Sequence, residues 1–492
     1  MKMNVIVFGA GMVGKKCLPY LEEQYHIQAV IDNNEKLWGT RFGSYIIEEP
    51  SKNIDTKSDV IITSSKYAME IVEQLINMEV KEERIYICYQ NRAKEGMICG
   101  VYSIIEEKLD STSVSLIQYD LLHRKEQENG KKKILLFCSF FTPYVKQLIE
   151  NMSKRYEDIE LSLLTNAYES KELIQSDKLM HIYCYETMED IKSILEKIPV
   201  YDVIQLLWME REWVFFTKLI RKKAKRLNIK VGGSDFYRST VAEKEYKKRL
   251  ISCADVITAD TECTANNFVS YFQENTKDKI RVLPYGAEVL DYIKRKRDVS
   301  KDDIRERFRI CKDKKIVTCG HNANKEHQHL KMVDALVQLP DLMKKQIVCV
   351  FPMAYGVKDA EYEKEIVQRL NQAGIEVVIL KEYMNFEYMA EYAMISDIMI
   401  HVQTTDQLSS SMLEEMYAGS IIIAGQWLPY QNLRDKGIYF IDVNEIETLT
   451  EVIEDVIEHI DEYKCRCERN RELVWEHSSW DTLAERWYSI WK

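Results

Sequence analysis

The order of apolar and polar residues along the chain predicts alternating strands and helices. Short runs rich in valine, isoleucine and leucine, each followed by a polar or glycine-containing loop, are typical of buried parallel strands. Between these runs, apolar residues at helical spacing predict amphipathic helices. The main predicted strands are at residues 4–8, 28–31, 59–63, 84–88, 134–138, 160–164, 201–208, 254–260, 315–319, 397–402 and 420–424. We therefore expect an α/β protein.

The strand and helix pattern divides the 492 residues into successive segments. Length alone favours about three domains. Helical patterns at 102–109 and 114–123, followed by a charged run, predict a linker, and an amphipathic pattern predicts a last helix at 472–492. The predicted segments are a Rossmann-like domain at 1–92, a helical linker at 93–132, and α/β domains at 133–295 and 296–492.

A glycine motif follows the first predicted strand. Gly9, Gly11 and Gly14 form G-x-G-x-x-G at the start of a helix, and Asp32 ends the next strand. This pattern predicts a turn that binds a nucleotide pyrophosphate, with the acid on the ribose. The block has no second mononucleotide half of its own, so a complete dinucleotide site is not evident. Residues 32–39 also resemble the small nucleotide-binding-like domain that precedes bacterial sugar acetyltransferases, which favours an accessory domain over an NAD site.

A polar loop and a short helix near residue 410 join two predicted strands. Asp406 and Glu414 lie eight residues apart, and Gly419 ends the helix before the strand at 420–424. A helix that begins in such a loop presents free N–H groups and a positive dipole, which bind phosphate. The loop residues expected near a diphosphate are Ser409, Ser410 and Ser411.

This stretch resembles the C-terminal signature of group 1 glycosyltransferases of the GT-B fold. The family has Glu-x7-Glu followed by Ala-Met-Ala-x-Gly, and this chain has Asp406-x7-Glu414 followed by Glu-Met-Tyr-Ala-Gly. Aspartate in place of the first glutamate is a departure that shortens the acid by one methylene. The resemblance implies that Glu414 contacts donor sugar or ribose hydroxyls and that Asp406 holds the sugar.

A second donor-side loop follows the strand at 315–319. In the family, this loop has a glycine, a basic residue and a lysine that bind the donor diphosphate. Gly320 and Lys325 fit this pattern, the usual arginine is missing, and His321 or Asn322 can replace it as a hydrogen-bond donor. Tyr383 lies in a loop that flanks the donor base in the family. The histidines at 321, 327 and 329 have no known zinc spacing, so no metal is expected.

The segment 133–295 resembles the acceptor half of the same family. Its landmarks are the loop Gly233-Ser234-Asp235, the strand at 254–257 and Pro284-x-Gly286. Asp235 follows the end of a strand, where α/β proteins place ligands. The resemblance therefore implies that Asp235 lies near the acceptor hydroxyl.

The resemblance implies a GT-B enzyme with two Rossmann-like domains that face a donor cleft, preceded by a separate small Rossmann-like domain. The expected reaction moves a sugar from a nucleoside-diphosphate sugar to a bacterial cell-surface glycan, lipid-linked or protein-linked, without a metal. Relatives with this motif mostly retain the anomeric configuration, so retention is favoured. The alternatives are an NAD(P)-dependent sugar-modifying enzyme that uses the first domain and a non-catalytic GT-B scaffold.

Composition limits the partners and the compartment. The net charge of −11 argues against nucleic-acid binding. The 12 cysteines have no pairing pattern and no apolar run reaches membrane-spanning length, which indicates a cytoplasmic protein with reduced thiols. A basic helix predicted at 213–227, with aromatic residues at its start, suggests peripheral contact with the inner face of the plasma membrane, and a solvated helix face is the alternative.

Overall fold

The computed structural model describes residues 2–64, 66–93, 96–105, 130–166, 178–273 and 276–492. The chain divides into two compact units. The first unit contains Met1–Thr258, Phe268–Arg281 and Trp491, and the second contains Ala259–Asn267, Val282–Ile490 and Lys492. No disulfide joins any of the 12 cysteines, all of which are among the described residues.

The first unit begins with a seven-stranded sheet in the order β3-β4-β2-β1-β5-β6-β7. Its strands are β1 Asn4–Phe8, β2 His26–Ile31, β3 Arg41–Phe42, β4 Tyr45–Glu48, β5 Val60–Ile62, β6 Ile85–Ala93 and β7 Gly96–Ser103. Its helices are Met12–Gln24, Pro50–Asn53 and Ala68–Asn77. The central strands are almost completely buried, as their continuous apolar runs predict.

The predicted linker is wrong at its start. Gly96–Ser103 forms β7, which pairs antiparallel with β6, so the first sheet extends beyond residue 92. Tyr102, predicted to begin a helix, is in β7 and packs 5.4 Å from the ring of Phe215. This tertiary contact buries the Tyr102 side chain while the residue is in a strand. The local sequence pattern does not indicate the contact. The remaining helical predictions, at 106–109 and 114–123, lie outside the described residues.

The second sheet of the first unit has the order β10-β9-β8-β11-β12-β13-β14. Its strands are β8 Lys132–Phe137, β9 Ile159–Asn166, β10 Ile182–Tyr185, β11 Tyr201–Leu207, β12 Ala224–Lys230, β13 Val256–Ala259 and β14 Ile280–Val282. The pairs from β10 to β13 are parallel. The helices along this part of the chain are Pro143–Arg155, Met188–Lys197, Thr217–Lys223, Ser234–Tyr237, Val241–Cys253 and Glu262–Phe272.

The basic helix predicted at 213–227 is shorter than expected. A 3₁₀ turn precedes Thr217–Lys223, and the chain then enters β12 at Ala224. The aromatic residues that suggested membrane contact are at most 4% exposed: Trp213, Phe215 and Phe216. They fill the core and are not available to a lipid surface. Among the described residues, we find no helix that has both the length and the apolar character required to cross a bilayer.

The second unit contains a six-stranded parallel sheet in the order β17-β16-β15-β18-β19-β20. Its strands are β15 Lys315–Cys319, β16 Ile347–Pro352, β17 Glu376–Leu380, β18 Ile398–His401, β19 Ile421–Gly425 and β20 Ile441–Val443. Its helices are Val289–Arg295, Lys301–Arg307, His329–Leu336, Asp341–Lys344, Ala360–Gln372, Phe386–Ile395, Ser410–Ala418, Gln431–Asp435, Leu449–Glu458, Ile460–Cys467, Asn470–Ser478 and Trp480–Trp491.

The helix predicted at 472–492 is broken in two at Ser479. This residue ends Asn470–Ser478 and caps Trp480–Trp491, where its hydroxyl accepts a hydrogen bond from the Thr482 amide. A serine that can cap a new helix start offers the backbone an alternative to continuing the first helix.

Each sheet reverses its strand order beside its first strand. The reversals lie between β1 and β5, between β8 and β11, and between β15 and β18. At such a point the connecting loops leave in opposite directions, and a crevice forms outside the carboxyl ends of the two strands. The fold therefore offers three places for a ligand, one for each sheet.

Replacement of Gly286 by alanine should destabilise the second unit. A Cβ at this position would lie 2.5 Å from the indole ring of Trp480, which is fully buried. Overpacking of this kind costs about 1–3 kcal/mol. We expect Gly286→Ala to lower the melting temperature in a thermal denaturation experiment. Gly11→Ala is the control, because its Cβ would meet nothing within 4 Å, and equal melting temperatures for the two variants would contradict the prediction.

Candidate functional site

The β15/β18 reversal brings together most of the residues predicted on the donor side. Gly320 follows β15 in a left-handed conformation, with φ of +67°. A Cβ on Gly320 would lie 2.9 Å from Nε2 of His329, so glycine is needed for both the backbone and the space. The loop that contains Asp406 follows β18 on the other side of the crevice.

Asp406 is fixed by side chains of its own unit. The hydroxyl of Tyr430 donates a hydrogen bond to Oδ2 of Asp406, and Nε2 of His401 lies 3.5 Å from the same oxygen. Burial raises the pKa of Asp406, but the neighbouring His401 and Tyr430 outweigh burial and lower it below its ordinary value. Asp406 is therefore held as a carboxylate in a defined orientation.

Glu414 has the opposite environment. Its side chain is 6% exposed, and among the described residues no hydrogen bond or ion pair reaches its carboxyl group. Burial alone raises the pKa of Glu414 to about 8. The next residue, Glu415, is used internally, because the Ser396 hydroxyl donates to its carboxylate at 2.6 Å. Glu414 is thus the acid that remains available to a ligand.

The helix Ser410–Ala418 begins beside these acids. The hydroxyl of Ser409 caps it by accepting a hydrogen bond from the Met412 amide at 3.2 Å, and the Ser409 carbonyl accepts from the Leu413 amide. Among the described residues, no acceptor is present for the amides of Ser410 and Ser411. The structure therefore provides the free N–H groups that the sequence predicts for this helix start.

Four histidine rings pack together behind this loop. His321 and His327 have ring centroids 4.3 Å apart, and His321 and His401 are stacked at 5.7 Å. His329 stacks on His327 at 5.5 Å. Burial, followed by repulsion between the rings, lowers the pKa of His321 well below its ordinary value and that of His327 to about 3. Burial lowers the pKa of His329 to about 4.

Asn322 and Tyr355 complete this side of the crevice. Oδ1 of Asn322 accepts a hydrogen bond from the Asn324 amide at 2.9 Å. Burial raises the pKa of Tyr355 to about 12, a hydrogen bond with Asn322 lowers it, and the charges of Glu414 and Asp406 raise it further. Asn322 is therefore within hydrogen-bonding range of the Tyr355 hydroxyl, and the two acids are within electrostatic range of it.

Two predicted donor residues lie apart from this group. The Lys325 ammonium forms an ion pair with Asp359 at 2.8 Å, and both side chains are substantially exposed. Exposed pairs of this kind are weak, so the lysine can change partners at little cost. The side chain of Tyr383 is 78% exposed. The sequence pattern identified their loops but not the direction of their side chains.

The β8/β11 reversal lies beside the predicted acceptor residue Asp235. Its two carboxylate oxygens accept hydrogen bonds from the amides of Met209 and Gly232, both at 2.9 Å. Burial raises the pKa of Asp235 to about 6, against the nearby charge of Lys247 and these two amide bonds. Asp235 thus joins the ends of β11 and β12, a structural function that loop position alone did not reveal.

Glu210 is an acid of this crevice that the sequence analysis missed. It is half-buried just after β11, within hydrogen-bonding reach of Ser139, which follows β8. Burial, with repulsion from Glu212, raises the pKa of Glu210 to about 7. Its place directly after a buried strand is the signal that could have identified it.

Asp32 stabilises the glycine loop of the first sheet. Oδ2 of Asp32 accepts a hydrogen bond from the Ala10 amide at 2.7 Å, and Oδ1 accepts from the Asn34 amide at 2.8 Å. A Cβ on Gly14 would lie 2.4 Å from the carbonyl oxygen of Gly9. Gly14 and Asp32 therefore stabilise the turn itself, and this accounts for part of the motif without a ligand.

No group of three or more metal-ligating side chains suited to hold a metal ion is found in the part of the chain that the structure describes. The four histidines pack as one T-shaped pair and two stacked pairs.

Two family models match separate parts of the chain. Residues 1–86 match the C2185-like N-terminal family, and residues 300–472 match the family of group 1 glycosyl transferases. No curated protein matches the chain by sequence.

Solved glycosyltransferase structures share the fold. A glycosyltransferase from Rickettsia africae ESF-5 has a TM-score of 0.60 at 16% identity, covering 74% of this chain and 98% of that chain. HepE of Anabaena, in complex with UDP and glucose, has a TM-score of 0.58 at 14% identity, covering 73% and 98%. Sucrose-phosphate synthase from Thermosynechococcus elongatus has the same values. At these identities the likeness shows the fold, and it confirms the predicted GT-B architecture.

Replacement of Glu414 by glutamine should change how stability depends on pH. The pKa of Glu414 in the folded protein, about 8, is above its ordinary value of 4.5. Its contribution to stability is therefore complete below pH 4.5 and is lost as the pH rises toward 8. Between pH 5 and pH 8 the melting temperature of Glu414→Gln should fall less than that of the wild type, by at least about 2 °C.

Glu468→Gln, at an exposed position of the same unit, serves as the control for the loss of one carboxyl group. Parallel pH profiles for the wild type and Glu414→Gln would show that the Glu414 carboxyl is hydrated or paired.

Replacement of Asp235 by asparagine should lower the melting temperature of the first unit. The amide has only one oxygen for two backbone N–H donors, and its own NH₂ group would face one of them. An unsatisfied buried donor costs about 1–3 kcal/mol. Differential scanning fluorimetry checks this against the exposed control Asp278→Asn. If Asp235→Asn melted at the same temperature as Asp278→Asn, the structural function assigned to Asp235 would be contradicted.

Proposed function

We propose that the chain, which matches the group 1 glycosyl transferase family over residues 300–472 and has the GT-B fold, transfers a sugar from a nucleoside-diphosphate donor bound at the β15/β18 reversal of its second unit. The acceptor in this proposal is a cell-surface glycan, either lipid-linked or protein-linked.

The unpaired carboxyl of Glu414 is the observation that supports this proposal most strongly. A buried carboxyl without a partner is costly, and hydroxyl groups of a ligand would remove that cost. A sugar or ribose supplies such hydroxyls in pairs. Glu415, one residue later and equally buried, already has a partner within the protein. Both the surroundings of Glu414 and its position in the motif therefore support its assignment to donor binding.

The neighbouring groups match the other parts of such a donor. The free amides of Ser410 and Ser411 lie at the positive end of a helix and suit a diphosphate. In the proposal, Gly320 allows the chain to approach the diphosphate closely, and Asn322 and His321 donate hydrogen bonds to it. Asp406, held by Tyr430, contacts the sugar through its second oxygen.

Lys325 is assigned to the leaving group. It would exchange its exposed partner Asp359 for the departing diphosphate, whose charge is greater. Tyr383 is assigned to the donor base, which can stack on its exposed ring. Transfer would retain the anomeric configuration, as in most relatives with this motif, and no residue here is assigned to a metal.

The donor base is suggested by one of the similar structures. HepE of Anabaena was solved in complex with UDP-glucose as well as with UDP. A uridine diphosphate sugar is therefore the first donor to test. In the first unit, the proposal assigns Asp235 to the architecture of the acceptor crevice and the glycine-loop domain to an accessory function, with a nucleotide as its possible ligand.

The donor proposal is tested by thermal shift with UDP-glucose, GDP-mannose, dTDP-glucose, ADP-glucose, NAD and NADP. We expect one sugar nucleotide to raise the melting temperature of the wild type by several degrees, because ligand binding to the folded state stabilises it. Lys325→Ala and Glu414→Ala should each lose most of that shift. Glu468→Gln, exposed in the same unit, should keep it.

Two results would contradict the proposal. A shift with NAD or NADP alone, lost in Asp32→Ala, would support the nicotinamide enzyme instead. No shift with any sugar nucleotide would support the non-catalytic scaffold.

A further inference from the structure

Four buried imidazole nitrogens at the β15/β18 reversal have no hydrogen-bond partner among the described residues. They are Nδ1 of His321, Nδ1 of His327, Nε2 of His329 and Nδ1 of His401. His327 is 2% exposed, and His329 and His401 are completely buried, whereas His321 is half-buried. Buried polar atoms in native proteins normally have partners, so this group of four requires an explanation.

The surroundings of His401 favour one tautomer. Tyr430 donates its only proton to Asp406, and its oxygen lies 2.8 Å from Nε2 of His401. Oδ2 of Asp406 and the side-chain nitrogen of Gln403 lie 3.5 Å and 3.3 Å from the same nitrogen. The two oxygens favour a proton on Nε2, which leaves Nδ1 as an acceptor without a donor.

Burial also keeps His321 and His327 uncharged. An imidazolium in this position would be desolvated and would repel its neighbours, as the lowered pKa values of His321 and His327 indicate. An anion placed against His321 would reverse this balance, because a cation and an anion attract strongly where water is excluded.

We propose that His321, backed by His327 and His401, binds the donor diphosphate as a cation, so that donor binding transfers a proton from solvent to this histidine cluster. The inference rests on the proposed function. In the proposed function, His321 donates a hydrogen bond to the diphosphate. Here His321 also becomes a cation, and it does so only when the donor is bound. An empty site with a permanent buried charge would carry a large desolvation cost.

Other titratable groups face the cluster and must be separated from it in any test. Asp406 lies beside His401, and its charge favours a proton on His327. The Tyr362 hydroxyl lies 3.4 Å from Nδ1 of His329, on the far side of the cluster. Glu414 can also change its protonation when a donor binds, because its pKa is about 8.

Isothermal titration calorimetry tests the proposal with the full chain and the sugar nucleotide identified by thermal shift. Titrations at pH 7 in buffers of different ionisation enthalpy measure the protons exchanged on binding. We expect uptake of about 0.5–1 proton for the wild type, with affinity falling up to about tenfold per pH unit above 7. A sugar nucleotide is a suitable probe because its diphosphate does not titrate in this range.

His321→Asn should bind the same donor more weakly and without proton uptake. His459→Asn is the matched control, since His459 is exposed on a distant helix of the same unit and should leave the uptake unchanged. Glu414→Gln should keep the uptake if the proton goes to the histidines. Should His321→Asn fail to fold, His327→Asn provides the same comparison.

The possible failures are distinguishable. Donor binding without proton uptake in the wild type, or full uptake in His321→Asn, would overturn the proposal and leave the proposed function intact. Proton exchange that changes in Glu414→Gln but not in His321→Asn would assign the exchanged proton to that carboxyl and would likewise overturn the proposal. The absence of binding by every sugar nucleotide would reject the proposed function and this inference together.

Discussion

The parallel pairing of β15 with both β16 and β18 is the constraint on which the candidate site depends. Strands that pair in parallel end at the same edge, and the reversal of order beside β15 directs the connecting loops apart. The loops after β15 and β18 therefore border one crevice. Gly320 permits the first loop to turn there, and the helix that begins at Ser410 faces it from the second.

Each of the three sheets has an acid beyond the carboxyl end of one of its strands, and these acids have different functions. Asp32 and Asp235 each accept hydrogen bonds from two backbone amides, so both carboxylates are occupied by the loops that they stabilise. In the third sheet, side chains contact the acid: the Tyr430 hydroxyl donates to Asp406, and His401 lies beside it. A second acid, Glu414, is then left without a protein partner.

Burial divides the ionisable groups of the third site into two protonation states. His401 and Tyr430 keep Asp406 ionised, whereas Glu414 has no partner and its pKa rises to about 8. A hydroxyl partner alone does not prevent this rise, because burial also raises the pKa of Glu415 to about 8. The histidines follow the same rule in the opposite direction, since burial lowers the pKa of a base. The site therefore contains one acid and several imidazole nitrogens without a protein partner, which a charged, hydroxyl-rich ligand can satisfy.

The local pattern determined the three α/β sheets, the glycine turn and the Asp406–Glu414 motif, because buried parallel strands and capped helices have short-range signatures. It could not determine β7, which exists because Tyr102 packs against Phe215, a residue distant in sequence. Likewise, only the tertiary structure decided which acids are structural. A carboxylate has the same identity in sequence whether it is paired or free, and pairing depends on residues that the fold brings from other loops.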